Sequence, residues 1–223
     1  PEAPEATQAP EATQVPSTSD APETTPPLTA ALTDPQADAM QLAQRAGQLW
    51  ASAQQDEQAA GDVQAWLAQR AAARHKGTAA LVVVMDRSLN APGESWSQPL
   101  IDLLKRIPEA EGNGNHADNG NGRAGLRELA IRVGRVLARI DAPATERKLA
   151  DVLHNPEQTD AARVAAAYAL SSFHNHDAAK ALLKAATRDG SAAVSAAAYD
   201  GLALLSGRHD LPPRAEPWQA WWA

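Results

Sequence analysis

Basic side chains at helical spacing are the residues of this chain whose types and positions could bind another molecule. Lys180, Lys184 and Arg188 stand at i, i+4 and i+8, which places them on one face of a helix. Such a face predicts binding of an acidic peptide, an acidic protein or a polyanion. The alternative is a solvated helix surface, with bases near helix C-termini where the macrodipole favours them. The full candidate set is Arg132, Arg135, Arg139, Arg147, Lys180, Lys184 and Arg188.

Other chemistry finds little support in the sequence. His174, His176 and Asp177 lie at a predicted turn and offer fewer converging ligands than a metal site needs. The stretch 111–122 resembles a calcium loop, but Gly120 and Leu129 stand where oxygen ligands are required. The chain has no cysteine and lacks a nucleophile elbow, a dinucleotide-binding motif and a phosphate loop. We therefore predict no catalytic residue, no metal and no cofactor.

Internal repeats in the second half would position the basic residues. The segment Ala162–Phe173 falls into register with Val194–Leu205 after a shift of about one repeat period, with small residues facing small residues. A weaker copy, Leu126–Leu137, lies earlier in the chain, and each copy is followed by a second amphipathic segment. A period of about 32–36 residues with two helices per unit predicts an all-α fold of the α-solenoid type.

The repeat pattern resembles the bacterial HEAT-like repeats of the PBS-lyase type, whose first helix reads roughly Val-Arg-x-Ala-Ala-x-x-Ala-Leu. The family's linker Asp and first-helix Arg fall on Asp160 and Arg163, and the next unit keeps Asp189. That unit has Ser195 where an Arg is expected, so an Asp–Arg ladder between units would stop there. Bilin lyases and some DNA glycosylases contain such repeats, but no residue of this chain matches their functional positions.

The C-terminus adds to the resemblance. Trp218, Trp221 and Trp222 are similar to the final Trp-x-x-Trp-Trp helix of exported bacterial HEAT-repeat proteins. Tryptophans at i, i+3 and i+4 present one broad apolar side, which would cover the last open face of a solenoid. We predict a structural cap, and the alternative is a set of binding aromatics.

The first half predicts four further helices. Asp34-Pro35 is a helix-start signal, and Gly61-Asp62 predicts a break between the first two helices. Gly77-Thr78 predicts another break. The apolar run Ala79–Met85 favours a buried helix over a strand, because the rest of the sequence offers a strand no pairing partner. A fourth helix, Leu100–Ile107, would end at Pro108.

The N-terminal segment has the composition of a disordered linker. Eight of the 16 prolines lie at or before Pro35, and residues 1–34 carry six acids and no Lys or Arg. The rest of the chain has 21 acids and 20 bases, so the body is nearly neutral and nucleic-acid binding is not favoured. The absent N-terminal Met and the spacer composition favour an exported protein in the periplasm or cell envelope, tethered through a missing N-terminus. A cytoplasmic protein is the alternative.

The predicted organisation has five parts. They are a disordered linker (1–33), a helical block (34–108), a flexible Gly/Asn loop (109–123), HEAT-like repeats (124–207) and a Trp-rich cap (208–223). The function that these parts favour is a non-enzymatic adaptor that binds a protein partner, acidic in character, on the solenoid surface. The alternatives are a nucleic-acid-binding HEAT-like protein with a basic face, and an accessory subunit of an envelope enzyme.

Overall fold

The computed structural model describes residue 32 and the ranges 36–69, 76–106, 121–140 and 142–222. The regular structure of these ranges is helical and contains no strand. Its α-helices are α1 (Ala39–Gln55), α2 (Glu57–Gln69), α3 (Lys76–Arg87), α4 (Ser97–Lys105), α5 (Asn121–Ile140), α6 (Ala142–His154), α7 (Asp160–Leu170), α8 (His176–Arg188), α9 (Ala192–Ser206) and α10 (Ala215–Trp222). A 3-10 turn, Glu94–Trp96, leads into α4.

Short polar side chains define where several helices begin. Asp38 forms a capping box with Gln41 at the start of α1. Thr159, Asn175 and Ser191 cap α7, α8 and α9, each accepting a hydrogen bond from the backbone N–H three residues later. Thr159 and Ser191 occupy equivalent positions in the sequence repeat, so successive copies begin with the same kind of cap.

One break predicted in the first half is wrong, and another lies one residue after the observed start of a helix. Helix α2 runs through Gly61 and Asp62, and the interruption falls earlier, at Asp56. The Asp56 carboxylate accepts a hydrogen bond from the N–H of Gln58 at 2.9 Å, which provides the start signal for α2. Gly77 and Thr78 lie in the first turn of α3, which begins at Lys76, and Leu32 packs against the turn that Gly77 leaves open.

The remaining predictions for the first half and the loop have three kinds of outcome. Helix α3 contains Ala79–Met85, which confirms the helix over the strand. Helix α5 begins at Asn121, so the end of the predicted loop 109–123 is helical. Predictions on Asp34-Pro35, on Ile107-Pro108, and on the linker apart from Leu32 lie outside the described residues.

Helix contacts follow an alternating pattern. Each odd-numbered helix from α1 to α9 contacts the next odd-numbered helix, and each even-numbered helix from α2 to α10 contacts the next even-numbered one. Consecutive helices such as α1 and α2, α5 and α6, and α8 and α9 also contact each other. The described helices are thus joined mainly by contacts between alternate helices, to which contacts within several consecutive pairs are added.

Small residues let the odd-numbered helices approach closely. A Cβ atom on Gly134 of α5 would overlap the carbonyl oxygen of Ala169 in α7. A Cβ atom on Gly201 of α9 would lie 3.1 Å from the carbonyl oxygen of Ala167. Ala169 and Gly201 occupy the same repeat position, so the repeat places a small side chain at successive helix contacts.

A single cluster of buried apolar side chains extends from Leu32 to Trp218. Leu32 is 0% exposed although it falls within the predicted linker 1–33. Trp50 and Trp96 meet edge to face in the first half, at 5.2 Å between ring centroids. Among the described helices, none is long and apolar enough to cross a membrane.

Candidate interaction surface

Helix α8 displays three cations along its solvent face. Lys180, Lys184 and Arg188 are exposed, whereas Leu182 and Ala185 on the other side of the helix are buried. The spacing of apolar residues that buries one side of α8 therefore fixes the three cations on the opposite side. We call Lys180, Lys184 and Arg188 the α8 basic row.

The α8 basic row has no anionic partner in the described part of the chain. No carboxylate there lies within 4.0 Å of the side-chain nitrogens of Lys180, Lys184 or Arg188, and those nitrogens donate no hydrogen bond to described residues. Arg188 lies in the last turn of α8, where the helix dipole favours a cation. The row is available to an external acidic group without loss of an ion pair to the described residues.

His154 lies beside the row at the end of α6. Burial, followed by the positive charge of Lys184, lowers the pKa of His154 below its ordinary value of 6.5. Asp189 and Asp151 act in the opposite direction but do not reverse the shift. Burial and the Lys184 charge both favour the neutral form of the imidazole, and the α8 basic row supplies the neighbouring cationic charge.

Arg147 of the predicted set lies on α6, which contacts α8. Its side chain is exposed, and its Nε donates a hydrogen bond to the carbonyl oxygen of Pro143 at 3.1 Å.

Between α4 and α6 lies an open cavity of about 230 Å³. Its lining is of mixed charge, since Lys148 and Asp151 both contribute. Arg147 thus lies on an even-numbered helix, as the α8 basic row does. The same helix, α6, also lines the open cavity.

Arg132, Arg135 and Arg139 have a different environment. All three lie on α5 and converge on Asp86, near the end of α3. Arg132 and Arg135 each place a guanidinium nitrogen 3.4 Å from Asp86 Oδ2. The Asp86 side chain is 10% exposed, so its charge is compensated almost entirely within the protein. We call these four residues the Asp86 cluster.

Arg139 also completes the end of α3. Its guanidinium donates to the backbone carbonyl oxygens of Met85 at 2.8 Å, Asp86 at 3.1 Å and Ser88 at 2.9 Å. Carbonyl groups at a helix C-terminus have no partner within the helix, and an arginine fork satisfies several of them at once. The Asp86 cluster therefore fixes α3 against α5, and it lies on the odd-numbered helices rather than beside the α8 basic row.

The predicted repeat residues Asp160, Arg163 and Asp189 form a contact between successive units. Arg163 bonds to Asp189 in the linker between α8 and α9, and both side chains are less than a tenth exposed. Its Nε donates to the carbonyl oxygen of Leu153 at 3.0 Å, and Asp160 lies 3.5 Å away. Asp160 in turn accepts a hydrogen bond from the Ser191 hydroxyl.

Ser195 occupies the position of Arg163 in the following unit. Its hydroxyl lies 3.5 Å from the carbonyl oxygens of Ala185 and Asp189. Arg163 and Ser195 therefore each contact the carbonyl oxygen of the residue ten positions earlier in the chain, although their side chains differ in length. The serine has no carboxylate partner among the described residues, so the arginine contact is not repeated there.

The three C-terminal tryptophans differ in exposure. Trp218 is 1% exposed, and its Nε1 donates to the carbonyl oxygen of Pro212 at 3.1 Å. Trp222 is partly buried and lies against the His176 imidazole, with 4.5 Å between the ring centroids. Trp221 is 37% exposed. Helix α10 thus covers the start of α8 and leaves aromatic surface one turn before Lys180.

A contact that sequence reasoning missed joins Tyr168, Asp200 and Arg127. The Tyr168 hydroxyl donates to Asp200 at 3.3 Å, and the Arg127 guanidinium lies 5.3 Å from the Tyr168 ring centroid. Burial, followed by the charge of Asp200, raises the pKa of Tyr168 above its ordinary value. The sequence separation between Tyr168 and Asp200 equals the repeat period, and this was the signal that could have predicted their contact.

The side chains that could bind a metal do not converge in the described part of the chain. Among the described residues, no group of three His, Asp or Glu side chains is arranged to hold a metal ion. His174 and His176 lie at the start of α8, and the loop with His116 lies outside the described residues. No protein-family model, curated protein or solved structure matches this chain.

Proposed function

We propose that this chain is a HEAT-like α-solenoid adaptor that binds an acidic segment of a protein partner along the α8 basic row. The internal sequence repeat, the matching helix caps at Thr159 and Ser191, and the alternating helix contacts support the solenoid. In this proposal the protein has no catalytic role of its own. It acts in the periplasm or cell envelope.

The observation that carries the proposal is the contrast between two sets of cations. Arg132, Arg135 and Arg139 are engaged by Asp86, whereas the α8 basic row has no internal partner in the described chain. A carboxylate that binds the row breaks no ion pair seen there. Exposed ion pairs contribute about 0.2–1 kcal/mol each, so a partner must engage several cations together.

The nucleic-acid alternative gains less support. It requires the α5 arginines and the α8 basic row to act as one basic face, and Asp86 already engages the arginines. A body with 21 acids and 20 bases provides no global field that would attract a polyanion. An acidic protein segment needs only the local row.

A binding measurement with matched variants tests the proposal. A fluorescent Glu-rich peptide and a DNA duplex are titrated with the full chain, with Lys180→Glu/Lys184→Glu/Arg188→Glu, and with Lys76→Glu/Arg87→Glu/Arg106→Glu. The second triple variant has the same net charge but changes exposed residues away from α8. Helical circular dichroism of all three proteins verifies that the charge reversals leave the fold intact.

The expected result is peptide binding that is lost in the α8 variant, is retained in the control and weakens with added salt. Preferential binding of DNA that is lost in the α8 variant and retained in the control would replace the proposal by the nucleic-acid alternative. Equal peptide binding by all three proteins would remove the α8 basic row from the proposal.

A further inference from the structure

The N-terminal segment of this chain carries charges that complement the α8 basic row. Residues 1–31 contain five acids and no Lys, Arg or His. Four of the five acids directly follow a proline, in Pro1-Glu2, Pro4-Glu5, Pro10-Glu11 and Pro22-Glu23. The segment therefore repeats one chemical unit, an apolar ring next to a carboxylate.

The surface at the start of α8 presents the matching unit. His176, one turn before Lys180, lies against Trp222 with 4.5 Å between ring centroids, and the neighbouring Trp221 is 37% exposed. Proline rings bind to aromatic surfaces in many peptide complexes. Adjacent Cα atoms are about 3.8 Å apart, and one helical turn rises about 5.4 Å. A Pro-Glu pair therefore has the dimensions to place its ring on the tryptophans and its carboxylate at Lys180.

The distance from the attachment point is also suitable. Leu32 is buried against Gly77 of α3, so residues 1–31 are attached to the body at that helix. Helix contacts connect α3 to α8 through α5 and α7. Three such steps of about 8–10 Å each separate the helix axes by up to about 30 Å, and an offset along the helices adds to this distance. A chain of 31 residues can span at most about 100 Å when it is fully extended, so its length is sufficient to reach α8.

We infer that residues 1–31 bind the α8 basic row when no partner is present, and that they compete with the partner for it. This inference rests on the proposed function, since it assigns a regulator to the same row. A binding segment that is covalently attached near its site can have an effective concentration in the millimolar range. A weak site with a dissociation constant of about 0.1 mM would then lower the apparent affinity of a competing acidic peptide about tenfold.

The test compares full chains that differ only in charge. The tail variant carries Glu2→Gln, Glu5→Gln, Glu11→Gln, Asp20→Asn and Glu23→Gln. The control variant has an equal charge change at five exposed acids elsewhere, by Glu57→Gln, Asp62→Asn, Glu94→Gln, Glu157→Gln and Glu216→Gln. A labelled peptide with the sequence of residues 1–14 is the probe for wild type and both variants.

We expect the tail variant to bind the probe about tenfold more tightly than wild type and than the control. Equal affinity in the tail variant and wild type would overturn the inference. The proposed function would still stand if Lys180→Glu/Lys184→Glu/Arg188→Glu weakened binding of the Glu-rich peptide, so the two failures are distinguishable.

A second measurement does not depend on the probe. Carbodiimide joins a carboxylate to a lysine amine in direct contact, and mass spectrometry identifies the joined residues. We expect products that link Glu2, Glu5, Glu11 or Glu23 to Lys180 or Lys184 in the full chain. Links from these acids to the exposed Lys148 on α6 at equal yield would overturn the inference, because they would show contact without preference for α8.

Discussion

Arg163 on α7 binds Asp189 at the end of α8, and the two side chains are 9% and 8% exposed. The same arginine holds the Leu153 carbonyl oxygen at the end of α6. One side chain therefore joins the ends of two successive second helices through the first helix between them. This relationship makes Arg163 a buried polar connection between α6, α7 and the end of α8.

Replacing Arg163 tests that role. We expect Arg163→Met to lower the free energy of unfolding by about 3–5 kcal/mol, because it leaves the buried Asp189 carboxylate without its partner. The double variant Arg163→Met/Asp189→Asn removes the uncompensated charge and is expected to recover part of the loss. Urea denaturation of both variants and of Asp189→Asn completes the cycle. Strict additivity of the two single changes would contradict a direct interaction.

The Asp86 cluster predicts unequal effects of its arginines. Arg139→Ala removes three hydrogen bonds to carbonyl oxygens at the end of α3, and we expect a loss of about 2–3 kcal/mol in unfolding free energy. Arg135 is 52% exposed and makes one contact of 3.4 Å with Asp86, so Arg135→Ala is expected to cost under about 0.5 kcal/mol. Chemical denaturation measures both, and equal losses would contradict the assignment of α3 capping to Arg139.

Glycine positions predict opposite outcomes for the same substitution. A Cβ on Gly134 would overlap the Ala169 carbonyl oxygen, so Gly134→Ala must separate α5 from α7 and is expected to cost about 1–3 kcal/mol. Gly61 lies on α2 with no atom within 4 Å of a built Cβ, so Gly61→Ala is expected to stabilise by about 0.5–1 kcal/mol. Thermal unfolding followed by circular dichroism compares them. A stable Gly134→Ala protein would show that the helices do not meet as closely as described.

His154 predicts how stability depends on pH. Its pKa in the folded chain is below the ordinary value of 6.5, so the unfolded chain takes up a proton first as the pH falls. The contribution of neutral His154 to the free energy of unfolding is therefore fully present above pH 6.5. It is lost as the pH falls from 6.5 towards the lower pKa that His154 has in the folded chain. We expect His154→Gln to flatten this part of the curve of unfolding free energy against pH.

A matched variant separates burial from charge at His154. Lys184→Gln removes the cation that contributes to lowering the His154 pKa and is expected to move this pKa upward, towards its ordinary value. Proton NMR titration of the imidazole measures the change. An unchanged pKa would assign the shift to burial and Arg163, and would place Lys184 farther from α6 than described.

The sequence predicted most of the helices because apolar spacing and capping residues act locally. Asn175 illustrates this, since it caps α8 as expected for a polar residue at a turn. Gly61-Asp62 misled because an exposed glycine weakens a helix without ending it, and Asp56 provides the stronger start signal. The helical character of the first half was predictable, whereas its boundaries depended on competing caps a few residues apart.

The roles of the basic residues were harder to predict. Arg139 and Lys184 both look like exposed cations on amphipathic helices, and the difference between them is a carboxylate far away in sequence. Asp86 precedes its arginine partners by 46 to 53 residues, and no periodic signal connects them. By contrast, Tyr168 and Asp200 stand one repeat apart, so their contact was accessible from the alignment of the repeat to itself.

The Asp86 cluster also holds the helices before residue 107 to the helices after residue 120 by side-chain contacts that do not involve the segment between them. Helix α3 meets α5 through this cluster, and α4 packs against α5, α6 and α7. Cleavage of the chain within residues 107–120 is therefore expected to yield two fragments that stay associated and co-elute. The same site would allow fragment complementation, in which separately expressed halves reassemble and Asp86→Ala weakens the reassembly.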